Sequence, residues 1–191
     1  MAEEEILEEG TPEGGGFAVA LYEWLQVVVG CLTIIVLLLL FVGRILYVEG
    51  PSMLPTLHDG DVMVVQELGY TPHQGDVVVL TQAFRDVTGP IVKRVVATEG
   101  QTVDIDYDAG TVMVDGVALD EPYINFEPMR VPPYESQSHV TVPEGHIFVM
   151  GDNRNHSNDS RDVLLGTVDT RRLLGRAVTV LFPFQDFGLI P

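Results

Sequence analysis

Cysteine is nearly absent from the sequence, since Cys31 is the only one among 191 residues. A single thiol cannot form a disulfide within one chain, and it cannot supply the paired ligands of a cysteine-based zinc site. The fold must therefore be held together by packing, for which an apolar content of 46% is sufficient.

Basic residues are also scarce. Lys and Arg total 10 against 28 Asp and Glu, which leaves a formal charge of −18. A surface that binds nucleic acid needs a basic stripe to meet the phosphates, so the composition argues against nucleic-acid partners. An acidic exterior suits a high-salt setting, and general solubility is the plainer explanation.

Long hydrophobic runs are limited to one. Residues 24–42, WLQVVVGCLTIIVLLLLFV, carry no charge, and this length is close to the roughly 20 residues that a helix needs to cross a bilayer. Tyr22 and Trp24 at one end and Arg44 and Tyr47 at the other are typical interfacial anchors. A cleavable signal peptide fits less well, because the run is too long and its leader is acidic.

The apolar run divides the chain into three predicted parts. Residues 1–16, rich in Glu and Gly, predict a disordered acidic leader. Residues 17–43 predict a transmembrane helix with its interfacial flank, and residues 44–191 a β-rich domain. Arg44 is the only basic residue near the span, so the positive-inside rule would place the large domain in the cytoplasm, on the thin evidence of one charge.

The segment after Arg44 has the pattern of strands. Short β-branched runs alternate with Gly, Pro and Asp about every ten residues, and no segment has helical period and length. The sequence therefore predicts a mainly β protein, with one N-terminal transmembrane helix followed by an all-β domain. Asp108-Ala109-Gly110 is predicted to be the turn of a hairpin. The predicted strands are DVMVVQE, DVVVLT, PIVKRVVAT, TVDIDY, TVMVDG, HIFVM and RAVTVLF.

One serine is placed like a nucleophile. Ser52 lies between Pro51 and Pro55 in VEGPSMLPTLHDGDVMVV, a few residues after the apolar run. Leu54 occupies the last position of a G-x-S-x-G elbow, and Pro55 stands where S-x-x-K requires its lysine. Any base for this serine must therefore come from elsewhere in the fold.

Lysine occurs once in the sequence. Lys93 is the only lysine, against nine arginines, and it lies in the segment GPIVKRVVA. If Ile91 and Val95 share its face of a strand, the amine points into an apolar layer and Arg94 points the other way. Burial lowers a lysine pKa, whereas arginine stays protonated. Lys93 is therefore either a general base or a strand-edge lysine with a solvated amine.

Histidine offers an alternative base for Ser52. We expect surface or capping roles for these residues instead, because HDGD at 58–61 has the composition of a polar turn. The five histidines are His58, His73, His139, His146 and His156.

A second polar island, GDNRNHSNDSR, spans residues 151–161. It does not fit an EF-hand calcium loop, because three of the required positions are occupied by Arg154, Ser157 and Val163. The remaining alternatives are a solvated turn and a hydrogen-bonded floor. In the second, Asp159 pairs with Arg161 and the hydroxyl of Ser157 orients a neighbouring amine.

Four segments together resemble the bacterial type I signal peptidases, in the same order along the chain. They are GPSMLPTL, QGDVVVL, VKRVVATEG and GDNRNHSNDSR, and GRAVTVLFPF resembles the terminal strand of that family. These enzymes are membrane-anchored serine–lysine endopeptidases that remove signal peptides from exported proteins. The resemblance covers about residues 21–191 and implies an all-β catalytic domain of the signal peptidase type, in its compact single-span form.

The resemblance also implies roles for individual residues. Ser52 is expected to be the nucleophile and Lys93 the general base. Ser157 is expected to hold the lysine amine, with Asp159 and Arg161 supporting the floor beneath it. No metal and no other cofactor is expected.

Substrate recognition follows from the same resemblance. Many family members carry a serine at the position of Gly50, where its hydroxyl helps to bind the oxyanion. The oxyanion hole is therefore expected to rest on the Ser52 N–H, assisted by water or the Gly50 backbone. Shallow pockets selecting Ala-X-Ala are expected to be lined by Val48, Met53, Leu57, Val79 and Val92.

The expected partners are preproteins and the lipid bilayer, and the expected location is the cell membrane, with one span and an extracytoplasmic catalytic domain.

Two other classes of protein share some of these features. A tethered β-module that only binds a partner has no use for a serine, a buried lysine and the polar island together. A self-cleaving Ser–Lys repressor would need a DNA-binding helix pair and no span. The preferred preproteins and the oligomeric state stay open.

Overall fold

A computed structural model of the chain describes residues 15–82, 89–124 and 127–191, including their side chains except those of residues 15 and 38–42. The chain forms two compact units, residues 1–41 and 42–191. The predicted disordered leader, residues 1–16, lies outside the described residues except for its last two glycines, which begin the helix.

The first unit contains one long helix, α1, Gly15–Val42. At 1.5 Å per residue it is about 42 Å long, more than the roughly 30 Å thickness of a hydrocarbon core. Its segment Gly16–Leu37 has a mean hydropathy of 2.0. Within the described ranges it is the one helix long and apolar enough to cross a membrane. The helix begins nine residues before Trp24, because FAVALYE continues the apolar pattern.

The second unit is mainly β, as predicted. Besides two short 3₁₀ helices, Arg154–His156 and Thr170–Arg172, its described residues form twelve strands. These are β1 Gly43–Tyr47, β2 Val62–Gln66, β3 Val77–Leu80, β4 Ile91–Thr98, β5 Thr102–Asp106, β6 Thr111–Val114, β7 Val117–Ala118, β8 His139–Thr141, β9 His146–Met150, β10 Val168–Asp169, β11 Leu173–Phe182 and β12 Gly188–Leu189.

The strands form two antiparallel sheets. The larger has eight strands in the order β1-β2-β11-β3-β4-β9-β10, with β12 paired to β11. The smaller has four, in the order β7-β6-β5-β8. Strand β11 pairs with β2, β3 and β12, and its pairings with β2 and β3 shift register at bulges. Bulges increase the local twist of a sheet, which allows one strand to serve different neighbours along its length.

The core lies on both sides of the larger sheet. All four residues of β3 are buried, which requires cover on both faces because alternate side chains leave opposite faces. One apolar cluster joins β2, β3 and β11 to Met53 and Leu57, and a second joins β4 and β9 to the smaller sheet. Strand β4 therefore lies between two neighbouring strands, β3 and β9, and is covered on both of its faces.

The seven predicted strands are confirmed, and so is the hairpin. Asp106 pairs with Thr111, and Gly110 has φ 69° in the turn between them. The prediction missed β1, β7, β8, β10 and β12. Four of these have two or three residues, which is too few to display alternation, and β1 begins directly after the helix, with no intervening loop to mark the change.

Gly175 provides a test of the bulged pairing of β11. It has φ 150°, and a Cβ there would lie 2.7 Å from the Gln66 carbonyl carbon and closer still to its oxygen. Gly175→Ala should therefore lower the free energy of unfolding by about 2 kcal/mol or more. The matched control is Gly188→Ala, because nothing lies within 4 Å of that position, and it should change stability by less than about 0.5 kcal/mol. Equal thermal midpoints for the two variants would contradict this account of the bulge.

Candidate active site

The segment between β1 and β2, residues 48–61, carries Ser52 and is closed at its base. We call it the nucleophile segment, after the role expected of Ser52. Val48 N–H donates to the Asp61 carbonyl at 2.8 Å, and Gly60 N–H donates to the Val48 carbonyl at 2.9 Å. Met53 and Leu57 are fully buried in the core, and Leu57 N–H donates to the Met53 carbonyl at 3.0 Å. These two anchors fix the segment, which leaves Ser52 half-buried at its edge.

The structure brings Lys93 to Ser52. Lys93 lies on β4 with 4% of its surface exposed. Its Nζ donates a hydrogen bond to Ser52 Oγ at 2.8 Å and another to the Val92 carbonyl at 2.8 Å. The two residues are 41 positions apart in sequence, so this contact depends on the folded sheet.

Burial changes the acidity of this amine. The pKa of Lys93 is lowered to about 8, chiefly by desolvation; the charges of Asp159 and Asp152 oppose this shift, and the charge of Arg161 adds to it. The ammonium form is the one that burial disfavours. A substantial fraction of neutral amine is therefore present near neutral pH, beside a serine hydroxyl within hydrogen-bonding distance.

Asp159 and Arg161 form a fully buried ion pair, as the floor hypothesis required. Arg161 Nε donates to Asp159 Oδ1 and Nη2 to Oδ2, both at 2.8 Å. Gly151 N–H also donates to Asp159 Oδ2, at 3.0 Å. Although burial alone would raise the pKa of Asp159, the charge and hydrogen bonds of Arg161 outweigh it and lower this pKa. The carboxylate is thus held ionised inside the protein.

Ser157 lies next to this pair but not in the predicted hydrogen bond. Its Oγ is buried and makes no hydrogen bond to Lys93 within the described residues; it lies beside the Asp159 carboxylate, and its hydroxyl contributes to the lowered pKa of Asp159. Gly151 separates it from the nucleophile segment, since a Cβ at Gly151 would lie 2.5 Å from both the Ser157 Cβ and the Ser52 carbonyl oxygen. The absence of a side chain at Gly151 is what allows the polar island to approach Ser52 so closely.

A second buried ion pair was not predicted. Arg94 and Asp152 are both buried, with Arg94 Nε to Asp152 Oδ1 at 2.9 Å and Nη2 to Oδ2 at 2.7 Å. Thr56 Oγ1 donates to the same carboxylate at 2.5 Å. The pair therefore joins β4, the nucleophile segment and the polar island. The sequence predicted an apolar setting for Lys93, but it did not predict that Arg94, on the other face of β4, would also be buried.

Asn153 connects the island to the nucleophile directly. Its N–H donates to the Ser52 carbonyl at 3.0 Å, and its Nδ2 donates to the Pro51 carbonyl at 3.1 Å. These bonds fix the two peptide groups that flank the Cα of Ser52. Sequence reasoning missed this role, because an Asn in a polar island has the composition of an ordinary turn.

The structure does not support the expectation that the Gly50 backbone helps to bind the oxyanion. Gly50 has φ 85°, and its N–H donates to Asp59 Oδ1 at 2.8 Å. The Gly50 amide is therefore engaged and cannot also bind an oxyanion in this conformation. The Ser52 N–H donates no hydrogen bond to another residue within the described ranges, which leaves it available.

A cleft of about 690 Å³ opens beside Ser52 and Lys93. Its polar lining includes Glu49, His156 and Asn158, and its apolar lining includes Leu46, Met63, Val79, Ile91 and Val92. Of the five predicted pocket residues, Val79 and Val92 line this cleft. Val48, Met53 and Leu57 are instead buried in the adjoining core cluster, where they hold the nucleophile segment.

The alternatives for Ser52 and for the island find no support in this geometry. None of the five histidines hydrogen-bonds Ser52 or Lys93 in the described part of the chain. The island carboxylates Asp152 and Asp159 are each held by a buried arginine, so they are not free to coordinate calcium.

Comparisons with known proteins identify the family. Residues 21–182 match the family model described as signal peptidase, peptidase S26. The chain is 38% identical over 167 residues to a probable signal peptidase I-1 of Synechocystis, covering 82% of this chain and 80% of the relative. It is 35% identical over 175 residues to signal peptidase I of Bacillus licheniformis, covering 87% and 91%.

The chain belongs to the signal peptidase family, peptidase S26. It is a serine endopeptidase of the signal peptidase I type, and its apolar N-terminal helix is consistent with the membrane anchor of this family. A crystal structure of signal peptidase I from Enterococcus faecalis is also similar, with 28% identity and a TM-score of 0.45 over 56% of this chain and 97% of that chain. Family membership excludes the partner-binding module and the self-cleaving repressor.

The buried pair beneath Lys93 should be essential for stability. Asp159→Asn leaves the Arg161 charge buried without its partner, which should lower the free energy of unfolding by about 3–5 kcal/mol. Asp169→Asn is the matched control, because Asp169 and Arg171 have the same spacing but the Arg171 side chain is 88% exposed. The thermal midpoint should fall markedly in the first variant and little in the second. Comparable midpoints would show that the buried pair is not structurally important.

Proposed function

We propose that the protein cleaves signal peptides by a Ser52–Lys93 dyad with an acyl-enzyme intermediate. Removal of signal peptides by a serine endopeptidase is the activity of the family to which the chain belongs. The observation that carries the assignment of the dyad is the 2.8 Å contact between Lys93 Nζ and Ser52 Oγ, made by an amine that is 4% exposed.

The reaction begins with the neutral amine. Lys93 Nζ takes the Ser52 hydroxyl proton as Oγ forms a bond to the carbonyl carbon of the scissile peptide. The resulting ammonium gives this proton to the leaving amine as the C–N bond breaks. The same amine, neutral again, then deprotonates a water molecule that attacks the acyl carbon. As the bond between this carbon and Ser52 Oγ breaks and the signal peptide leaves, the ammonium returns the proton to Oγ, which restores the serine hydroxyl and the neutral lysine.

The shifted pKa makes this base available. At the ordinary lysine pKa of about 10.4, roughly 0.04% of the amine is neutral at pH 7, whereas a pKa of about 8 leaves roughly 10% neutral. The gain in reactive enzyme is therefore about two orders of magnitude. Arginine at this position would keep the charge but could not accept the proton.

The negative charge that forms on the carbonyl oxygen needs a donor. The Ser52 N–H is unengaged by other described residues, and backbone donors of this kind stabilise tetrahedral intermediates. The Gly50 amide is already bound to Asp59, so the second donor is water or a substrate group. Asn153 supports the arrangement by holding the Ser52 carbonyl on the opposite side.

The cleft supports a preference for small apolar side chains near the scissile bond. Val79, Val92, Leu46 and Met63 form the apolar part of its wall, and such a wall excludes bulky side chains sterically while discriminating weakly between one methyl group and two. Preference for Ala at the two positions that fill these pockets is the specificity that we propose.

We place the catalytic domain on the extracytoplasmic side of the cell membrane, anchored by a single span. Ser52 lies ten positions after Val42, the last residue of α1, so the nucleophile cannot be far from the membrane along the chain. A substrate held by its own apolar segment is confined to the same surface, which raises its effective concentration.

The dyad is tested by two substitutions. Ser52→Ala and Lys93→Arg should each lower kcat/KM for a preprotein by at least about 10³-fold while leaving the domain folded. Ser138→Ala, at an exposed position, is the matched control and should keep full activity. The assay is cleavage of a purified preprotein in detergent, with the new N-terminus sequenced and folding checked by circular dichroism. Appreciable activity in Lys93→Arg would remove Lys93 as the base.

The pH dependence tests the protonation state. Because Lys93 must be neutral to act and its pKa is about 8, kcat/KM should rise about tenfold per pH unit below that value and level off above it. The measurement is a pH–rate series on one peptide with Ala at both pocket positions. A pH-dependent limb that disappears in His156→Ala would assign the base to histidine in place of Lys93, because His156 is the histidine that lines the cleft.

Orientation is tested in spheroplasts. Protease added outside should digest residues 44–191 and spare an epitope fused to the leader, with a cytoplasmic protein as the control for intact membranes. Protection of the large domain would reverse the proposed orientation and would be incompatible with processing of exported preproteins.

A further inference from the structure

Three potential metal ligands meet where the base of the nucleophile segment approaches the loop between β11 and β12, and none of them lines the cleft beside the dyad. His58, Asp61 and Asp186 each offer one ligand atom, and these atoms lie within 4.8 Å of one another. His58 is exposed, Asp186 is half-buried and Asp61 is buried. The histidine was expected to have only a turn role, and no metal was expected from the sequence.

Asp61 has an unsatisfied carboxylate oxygen. It is 1% exposed, and its Oδ2 accepts the His58 N–H at 2.8 Å. Its Oδ1 is buried and accepts no hydrogen bond from any described residue. A buried carboxylate oxygen without a partner is unfavourable, and no ion pair is formed by Asp61 within the described ranges. A cation at this point would satisfy both the oxygen and the charge.

The fold brings the third ligand to this place. Asp61 immediately precedes β2, and the first residue of β2, Val62, pairs with Phe182 at the end of β11. Asp186 lies in the short loop between β11 and β12, where its N–H donates to the Pro183 carbonyl at 3.0 Å. Two segments that are distant in sequence therefore present their ligands to one point.

We propose that His58, Asp61 and Asp186 bind a divalent transition-metal ion such as Zn²⁺. One imidazole and two carboxylates make a mixed nitrogen and oxygen donor set, which suits Zn²⁺ or Mn²⁺ better than Ca²⁺, because Ca²⁺ requires six to eight oxygens. Zn²⁺ bonds its ligands at about 2.0–2.2 Å. The exposed His58 ring and the Asp186 loop must therefore close on the ion by about an ångström.

The proposed ion would join the nucleophile segment to the β11–β12 loop. The segment is closed at its base by hydrogen bonds between Val48, Gly60 and Asp61, and the ion would add a link from that base to a neighbouring strand connection. Its effect is on the stability of the domain, and it takes no part in the proton transfers at Ser52. Binding and peptide cleavage are therefore separable in an experiment.

The test is metal binding by the full chain in detergent, purified without a histidine tag and freed of metal with a chelator. One Zn²⁺ per chain should bind in calorimetry at pH 7.5. At about 100 times its Kd, Zn²⁺ should raise the thermal midpoint by about 5–10 °C. Co²⁺ should bind with visible absorption that reports its coordination, and Ca²⁺ should give no comparable shift.

Two variants and one control decide whether the three residues are the site. His58→Ala and Asp186→Asn should each weaken Zn²⁺ binding by at least about tenfold while keeping the metal-free thermal midpoint, since both side chains are partly or fully solvated. His139→Ala is the matched control, because His139 Nδ1 contacts Asp104 at 2.5 Å on the exposed surface without a third ligand. It should leave Zn²⁺ binding unchanged.

Two outcomes would overturn the proposal. The first is the absence of a Zn²⁺-dependent shift in the wild-type chain. The second is binding that survives in His58→Ala and Asp186→Asn, which would assign it to scattered surface carboxylates. Neither outcome depends on preprotein cleavage, so failure of the metal site and failure of the dyad can be distinguished.

Discussion

The amine of Lys93 shares its surroundings with two buried carboxylates, Asp152 and Asp159, and each of them raises its pKa. Left free, either carboxylate would stabilise the ammonium form and make the lysine useless as a base. Each is instead occupied by a buried arginine, Arg94 or Arg161. The two ion pairs neutralise the carboxylates, so desolvation dominates at the amine. The lowered pKa of Lys93 depends on this pairing of each carboxylate with its own arginine.

The fold makes these two ion pairs possible by burying both faces of β4. Lys93 and Arg94 are neighbours in sequence, and alternation sends them to opposite faces, yet both are buried. The polar island reaches one face through Gly151, which packs against the Ser52 backbone without a side chain. Thr56 and Asn153 then join the nucleophile segment to the same island. The dyad is therefore held by backbone and charge contacts from three separate segments.

Much of this arrangement was predictable from sequence, and the failures have physical reasons. The β-branched run around Lys93 left a buried and a solvated amine as alternatives, and the polar island left a solvated turn and an Asp159–Arg161 pair; the structure shows the buried amine and the ion pair. The Arg94–Asp152 pair joins residues 58 positions apart, and no local pattern reports such a contact. Met53 and Leu57 were expected to line the substrate cleft, but apolar character alone does not distinguish a pocket wall from a core anchor. The Gly50 backbone was expected to assist the oxyanion hole. The hydrogen bond from its N–H to Asp59 depends on the loop conformation, so the sequence could not show that this donor is already engaged.

The most direct test of the account is the pKa of Lys93 itself. Because the chain contains a single lysine, labelling with ¹³Cε-lysine gives one side-chain signal, and its chemical shift can be titrated by NMR in the intact protein in detergent. We expect a midpoint near pH 8, in line with burial of the amine. A midpoint at or above about 10.4, the ordinary value for lysine, would show that the carboxylates stabilise the ammonium form and would contradict the proposed role of Lys93 as a neutral base.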